Sequence, residues 1–131
     1  MANASKVKQF SFSMPNKVGL LMEVTEALAK AKINIEAICA YEWEKEAAFM
    51  IVTNNNTKTK NVISKMGAKV EVEDVIALEV QNKVGQLHKA AKNIATAGID
   101  IYYLYGSPAK GKMTIIFKTE NDKKALKVLA K

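Results

Sequence analysis

Phe10, Phe12 and Met14 alternate with polar neighbours, a period of two that predicts a strand over residues 7–14 with one apolar face. The period then lengthens. Leu20, Leu21, Val24, Leu28 and Ala31 trace one side of a helix, and residues 33–43 and 47–53 read as two strands around the charged turn Glu44-Lys45-Glu46. A second helix is expected at about 57–66, closed by Gly67, and Val70 and Val72 mark a fourth strand.

The same succession returns 66 residues later. "NKVGLL" at 16–21 becomes "NKVGQL" at 82–87, and Phe10, Phe12 and Met14 fall on Ile76, Leu78 and Val80. Leu28 falls on Ile94, Ile33-Asn34-Ile35 on Ile99-Asp100-Ile101, Thr53 on Thr119 and Ile63 on Leu129. Two repeats of one βαββαβ unit are therefore expected, at residues 1–73 and 74–131. Each is an α+β, ferredoxin-like antiparallel sheet with helices on one face. The equivalent of Met66 would be residue 132 in a chain of 131, so the second repeat is expected to lack its last strand. The uncovered edge that this leaves predicts a homodimer, unless the first repeat covers it.

Composition narrows the chemistry. The net charge is +7, with nine Lys against six Glu in residues 1–66 and eleven Lys against seven acids in 67–131, so no basic tail stands out. None of the 20 cations is Arg, the side chain whose planar fork reads phosphates and guanine, which argues against sequence-specific nucleic-acid recognition. No apolar run reaches the roughly 18 residues of a membrane span, and the start lacks the apolar segment of a secretory signal, so the cytoplasm is the expected location. The one cysteine, Cys39, has no partner for an internal disulfide or a CxxC metal pair.

Residues 106–112, "GSPAKGK", match the first seven positions of a phosphate-binding loop. That loop needs Ser or Thr after its Lys, opening a helix, but Met113 stands there and "MTIIF" reads as strand. Gly106, Ser107, Pro108 and Gly111 are accordingly expected to form a hairpin turn. The single His88 lies on a helix with no nucleophile at recognisable spacing, so neither a catalytic residue nor a metal ligand or cofactor is expected. Tyr41, Trp43, Tyr102, Tyr103 and Tyr105 fit strand positions, where aromatics pack on a sheet or between sheets, though they could also line a pocket. The remaining candidate is the repeated Asn-Lys-Val-Gly before each first helix. It is either a plain helix start, with Asn as cap and Gly as turn, or a place where Gly admits a carboxylate to unpaired helix amides.

"NKVGLLMEVTEALAKAKINIEAI" and "NKVGQLHKAAKNIATAGIDIYYL" resemble the ACT domain, a regulatory module that binds small effectors, commonly amino acids. Val18 and Val84 stand where that family often has Pro. The resemblance implies a ligand between two modules, held by the loop and helix start of one and the beginning of the second strand of the other. One site would combine Asn16, Val18, Gly19 and Leu20 with Asp100 and Ile101; the other, Asn82, Val84, Gly85 and Gln86 with Asn34 and Ile35. Met14 and Val80 replace the His that some serine-binding members use. The function implied is a non-catalytic amino-acid sensor. A regulatory subunit of an amino-acid enzyme, such as acetolactate synthase, is the alternative, and an RNA-binding ferredoxin-like module a more distant one.

Overall fold

The computed structural model describes residues 3–130. Ten elements follow one another: β1 (Asn3–Pro15), α1 (Leu20–Lys30), β2 (Ile35–Trp43), β3 (Glu46–Thr53), α2 (Asn56–Lys65), β4 (Glu71–Gln81), α3 (Gln86–Thr96), β5 (Ile101–Ala109), β6 (Lys112–Thr119) and α4 (Asp122–Leu129). The described chain forms two compact units, one of residues 8–73 and one of residues 3–7 with 74–130.

In the unit of residues 8–73 the strand order is β2-β3-β1, followed by the first residues of β4. β3 pairs antiparallel with both β1 and β2, with Phe10 opposite Ile51, Phe12 opposite Phe49 and Met14 opposite Ala47. Directly opposed residues share a face, so these six side chains form one apolar surface. Leu20, Val24 and Leu28 of α1 and Ile63 of α2 close over it. The Phe12 and Phe49 rings stack within it, centroids 4.9 Å apart and planes 7° from parallel. Leu21, expected on the buried side of α1, is 54% exposed. It sits about 100° around the helix from Leu20, outside the stripe that positions 20, 24 and 28 make.

The other unit repeats this plan. Its strands run β5-β6-β4, and Ile76, Leu78, Val80, Ile115 and Phe117 meet Ala90 and Ile94 of α3 and Ala125 and Leu129 of α4. No strand follows α4 among the described residues. The flank of β4 is instead taken by residues 3–7, the first part of β1: Ala4 packs on this core and Lys6 lies 3.6 Å from Asp74. The edge on which a homodimer was expected is thus covered within the unit.

Both β2–β3 and β5–β6 turn in two residues. Glu44 and Lys45 take φ of 48° and 70°, as a tight hairpin requires, and the other turn is Lys110-Gly111, with φ of 72° at the glycine. Gly106, Ser107 and Pro108 are not part of that turn. They lie within β5, opposite Ile115, Thr114 and Met113. A Cβ on Gly106 would stand 2.9 Å from the Cα of Ile115 and closer still to the Thr114 carbonyl oxygen. Glycine is there because two backbones approach closely, and no phosphate is needed to explain it.

Candidate functional site

The two Asn-Lys-Val-Gly loops have the same construction. Each leaves its first strand with an amide bound to its own hairpin turn: Asn16 N–H donates to the Lys45 carbonyl at 2.8 Å, and Asn82 N–H to the Gly111 carbonyl at 3.0 Å. Each then enters its helix on a left-handed glycine, Gly19 at φ 88°, ψ 0° and Gly85 at φ 86°, ψ −4°. Glycine adopts this conformation without the penalty a Cβ brings. The glycines, and not Asn16 or Asn82, are the N-caps, and neither helix start receives a side-chain cap.

The second helix of each unit begins differently. Asn55 accepts from the Lys58 amide at 3.0 Å and Asn121 from the Lys124 amide at 3.1 Å. The first-turn amides of any helix lack intrahelical acceptors and carry partial positive charge. In α2 and α4 a side chain partly satisfies them; in α1 and α3 no side chain does. Val18 and Val84 beside these starts are fully exposed, and a Cβ placed on Gly19 or Gly85 would meet no atom within 4 Å.

Leu20 lies in the core, and its amide already donates to the Lys17 carbonyl at 3.2 Å. Gln86 is half-buried, with its amide on the Lys83 carbonyl at 3.3 Å. The amides left to an anion are therefore those of the next residues, Leu21 and Met22 in α1, Leu87 and His88 in α3. The charges around them differ. Glu23, bridged to Lys17 at 2.9 Å, places a carboxylate in the first turn of α1, whereas α3 has no acid there and carries Lys89 at the equivalent position. A carboxylate ligand is therefore attracted less by the first, where Glu23 offsets Lys17, than by the second.

The other half of the implied sites begins the edge strands. Asn34 and Asp100 are exposed, and Ile35 and Ile101 half-buried. In each unit a side chain holds this turn from below: Asn54 Oδ1 accepts the Asn34 amide at 2.9 Å, and Glu120 Oε1 the Asp100 amide at 2.9 Å. The return bonds, Asn54 N–H to the Asn34 carbonyl and Glu120 N–H to the Asp100 carbonyl, close both rings. Immediately after, β2 and β5 each shift register, between Ile35 and Ala37 and between Ile101 and Tyr103. Sequence reasoning missed this latch, although Asn54 and Glu120 share the 66-residue offset and directly follow the matched Thr53 and Thr119.

Inside one unit the loop and the latched strand start lie at opposite ends of the first helix. Its 11 residues span about 16 Å. Neither unit brings its own two half-sites together. Among the described residues no cluster of His, Cys, Asp or Glu is placed to hold a metal ion, and no helix is long and apolar enough to cross a membrane.

Comparison with known proteins shows the family and the fold. Residues 5–131 match the family described as ACT domain pair. A solved protein of Bacteroides thetaiotaomicron is 28% identical over 97% of this chain and 88% of its own, with a TM-score of 0.90. The ligand-free regulatory subunit of aspartate kinase from Thermus thermophilus is 14% identical over 98% and 94%, TM-score 0.71. That from Thermus flavus is 16% identical over 98% and 94%, TM-score 0.65. No curated protein matches.

Proposed function

The chain belongs to the ACT domain pair family, and from that premise we propose that it is a non-catalytic regulatory protein that binds a small effector, an amino acid. The observation that carries this reading is the contrast among its four helix starts. α1 and α3 open on left-handed glycines with uncapped amides, while α2 and α4 are capped by asparagine. A ligand carboxylate supplies the acceptors that the first pair lacks.

In the two sites proposed, Asn16, Val18, Gly19 and Leu20 of one repeat work with Asp100 and Ile101, and Asn82, Val84, Gly85 and Gln86 with Asn34 and Ile35. The ammonium group pairs more strongly with Asp100 than with neutral Asn34. The two sites are thus unequal in opposite senses: the α1 site has the better ammonium partner, the α3 site the better carboxylate partner.

The structural neighbours named as regulatory subunits of aspartate kinase favour a second level of the same reading, in which the effector-bound module acts on an enzyme of amino-acid synthesis in the cytoplasm. Thermal-shift screening against the twenty amino acids and against ATP with magnesium tests the class of ligand. Stabilisation by one or a few amino acids is expected; stabilisation by the nucleotide alone, or salt-sensitive binding of single-stranded RNA, would overturn it.

A further inference from the structure

On the helix-free face of the unit of residues 8–73, the hairpin end of the sheet carries Tyr41, Ala48 and Ser13 in one cross-strand row, with Trp43 and Glu46 in the next. Tyr41 is 53% and Trp43 69% exposed. With Glu44 they border a shallow depression of about 540 Å³. Glu44 and Glu46 border it, and no lysine of the described residues bridges either of them. Exposed aromatic faces beside unpaired carboxylates attract a cation twice, through the ring quadrupole and through charge.

The other repeat carries the opposite sign at the same positions. Tyr41, Trp43, Glu44 and Glu46 correspond to Ser107, Ala109, Lys110 and Lys112 at the 66-residue offset. Residues 42–46 hold three Glu and one Lys; residues 108–112 hold two Lys and no acid. Lys112 reaches Glu79 at 3.3 Å yet keeps 66% of its side chain exposed. Two copies of a chain with net charge +7 repel each other over most of their surface, so the acidic, aromatic tip is where a lysine-bearing segment is admitted.

We propose that the Tyr41–Trp43 depression is a self-association surface, occupied by the Lys110–Lys112 hairpin tip of a second copy, with lysine stems lying on the rings and ammonium groups on Glu44 and Glu46. The inference does not rest on amino-acid binding. Because only the tips meet, the association is weak and salt-sensitive.

Trp43 is the only tryptophan, so intrinsic fluorescence reads this surface directly. Emission is followed across protein concentration, with sedimentation in parallel, for the wild type, for Glu44→Lys/Glu46→Lys and for Lys110→Glu/Lys112→Gln. All these positions are exposed or half-buried, and circular dichroism checks each fold. The expected result is a concentration-dependent blue shift in the wild type, reversed in 1 M salt, where screening acts within about 3 Å. Each variant alone should bind itself about tenfold or more weakly. A mixture of the two should regain the shift, because the acidic tip of one again meets a basic tip of the other. A wild type that stays monomeric without a shift overturns the proposal. So does association that survives both charge changes, or that mixing fails to restore. A blue shift produced by tetramethylammonium or a lysine-rich peptide on a protein that never self-associates would show that the depression takes another cation, and would equally overturn it.

Discussion

Replacing Gly106 by Ala separates the two explanations of the "GSPAKGK" stretch. The new Cβ falls 2.9 Å from Ile115 Cα and 3.3 Å from its Cγ1, and nearer still to the Thr114 carbonyl. Neither backbone atom can retreat easily. β6 is paired on both sides, with Ile115 opposite Gly106 in β5 and opposite Leu78 in β4, and Ile115 itself is 1% exposed. Forced overpacking of this kind costs about 1–3 kcal/mol, and an immovable backbone obstacle puts the value near the upper end. Alanine recovers about 0.5–1 kcal/mol by restricting the unfolded chain, leaving a net loss of about 2 kcal/mol. At Gly111, with φ of 72° and open space around it, only the left-handed strain of about 1 kcal/mol applies, and the same recovery nearly cancels it. Urea denaturation at 25 °C measures both, read from midpoints at unchanged slope. Gly106→Ala within about 0.5 kcal/mol of wild type, or less damaging than Gly111→Ala, would refute the close-approach account.

α1 ends with Lys32 at φ 60° where α3 has Gly98 at φ 73°, each followed by an equivalent closing bond, Ile33 N–H to the Leu28 carbonyl and Ile99 N–H to the Ile94 carbonyl. Lys32→Gly should therefore stabilise by about 0.5–1 kcal/mol and Gly98→Lys destabilise by a similar amount; changes of the same sign in denaturant midpoint would contradict this. Burial works against ionisation of Asp122, but hydrogen bonds from Lys118 and Thr119 outweigh it and hold its carboxyl below the ordinary value. A depressed pKa contributes stability that is whole above the unfolded value near 3.8 and lost as pH falls through the folded one. Asp122→Asn should cost about 1–3 kcal/mol at pH 7, and the gap to wild type should narrow only below pH 3.8; a gap independent of pH would remove the charge from the explanation. Exchanging the first-turn charges, Glu23→Lys or Lys89→Glu, should raise carboxylate affinity at the first loop and lower it at the second by about threefold. Equal affinities in both variants would remove the dipole argument.

The repeat and both cores were legible because apolar phase survives at a fixed offset, as in Phe12 and Leu78 or Ile63 and Leu129. Residues 3–7 escaped because Ala4 is the one apolar side chain there that meets the core, and a strand borrowed from the start of the chain leaves no local signal. Gly106 was assigned to a turn because its requirement comes from a neighbouring strand. The helix starts were half legible. Asn-Lys-Val-Gly announced them, but which residue caps depends on backbone angles that composition does not carry, and the structure gives that place to Gly19 and Gly85. The Asn54 and Glu120 latches bond to residues 20 positions back, beyond the reach of local pattern.

Titration calorimetry with the amino acid found by screening tests the central claim most directly, using wild type, Gly19→Ala, Gly85→Ala, Asn16→Ala and Asn82→Ala, each shown to be folded. The methyl groups meet no atom in the free protein, where they cost only left-handed backbone strain, so any steric obstruction is felt by the ligand. The account predicts that the glycine variants lose binding at their own site, and that the asparagine variants lose about 1–3 kcal/mol of it. Affinity and stoichiometry unchanged in all four folded variants would contradict it and leave the two loops as plain helix starts.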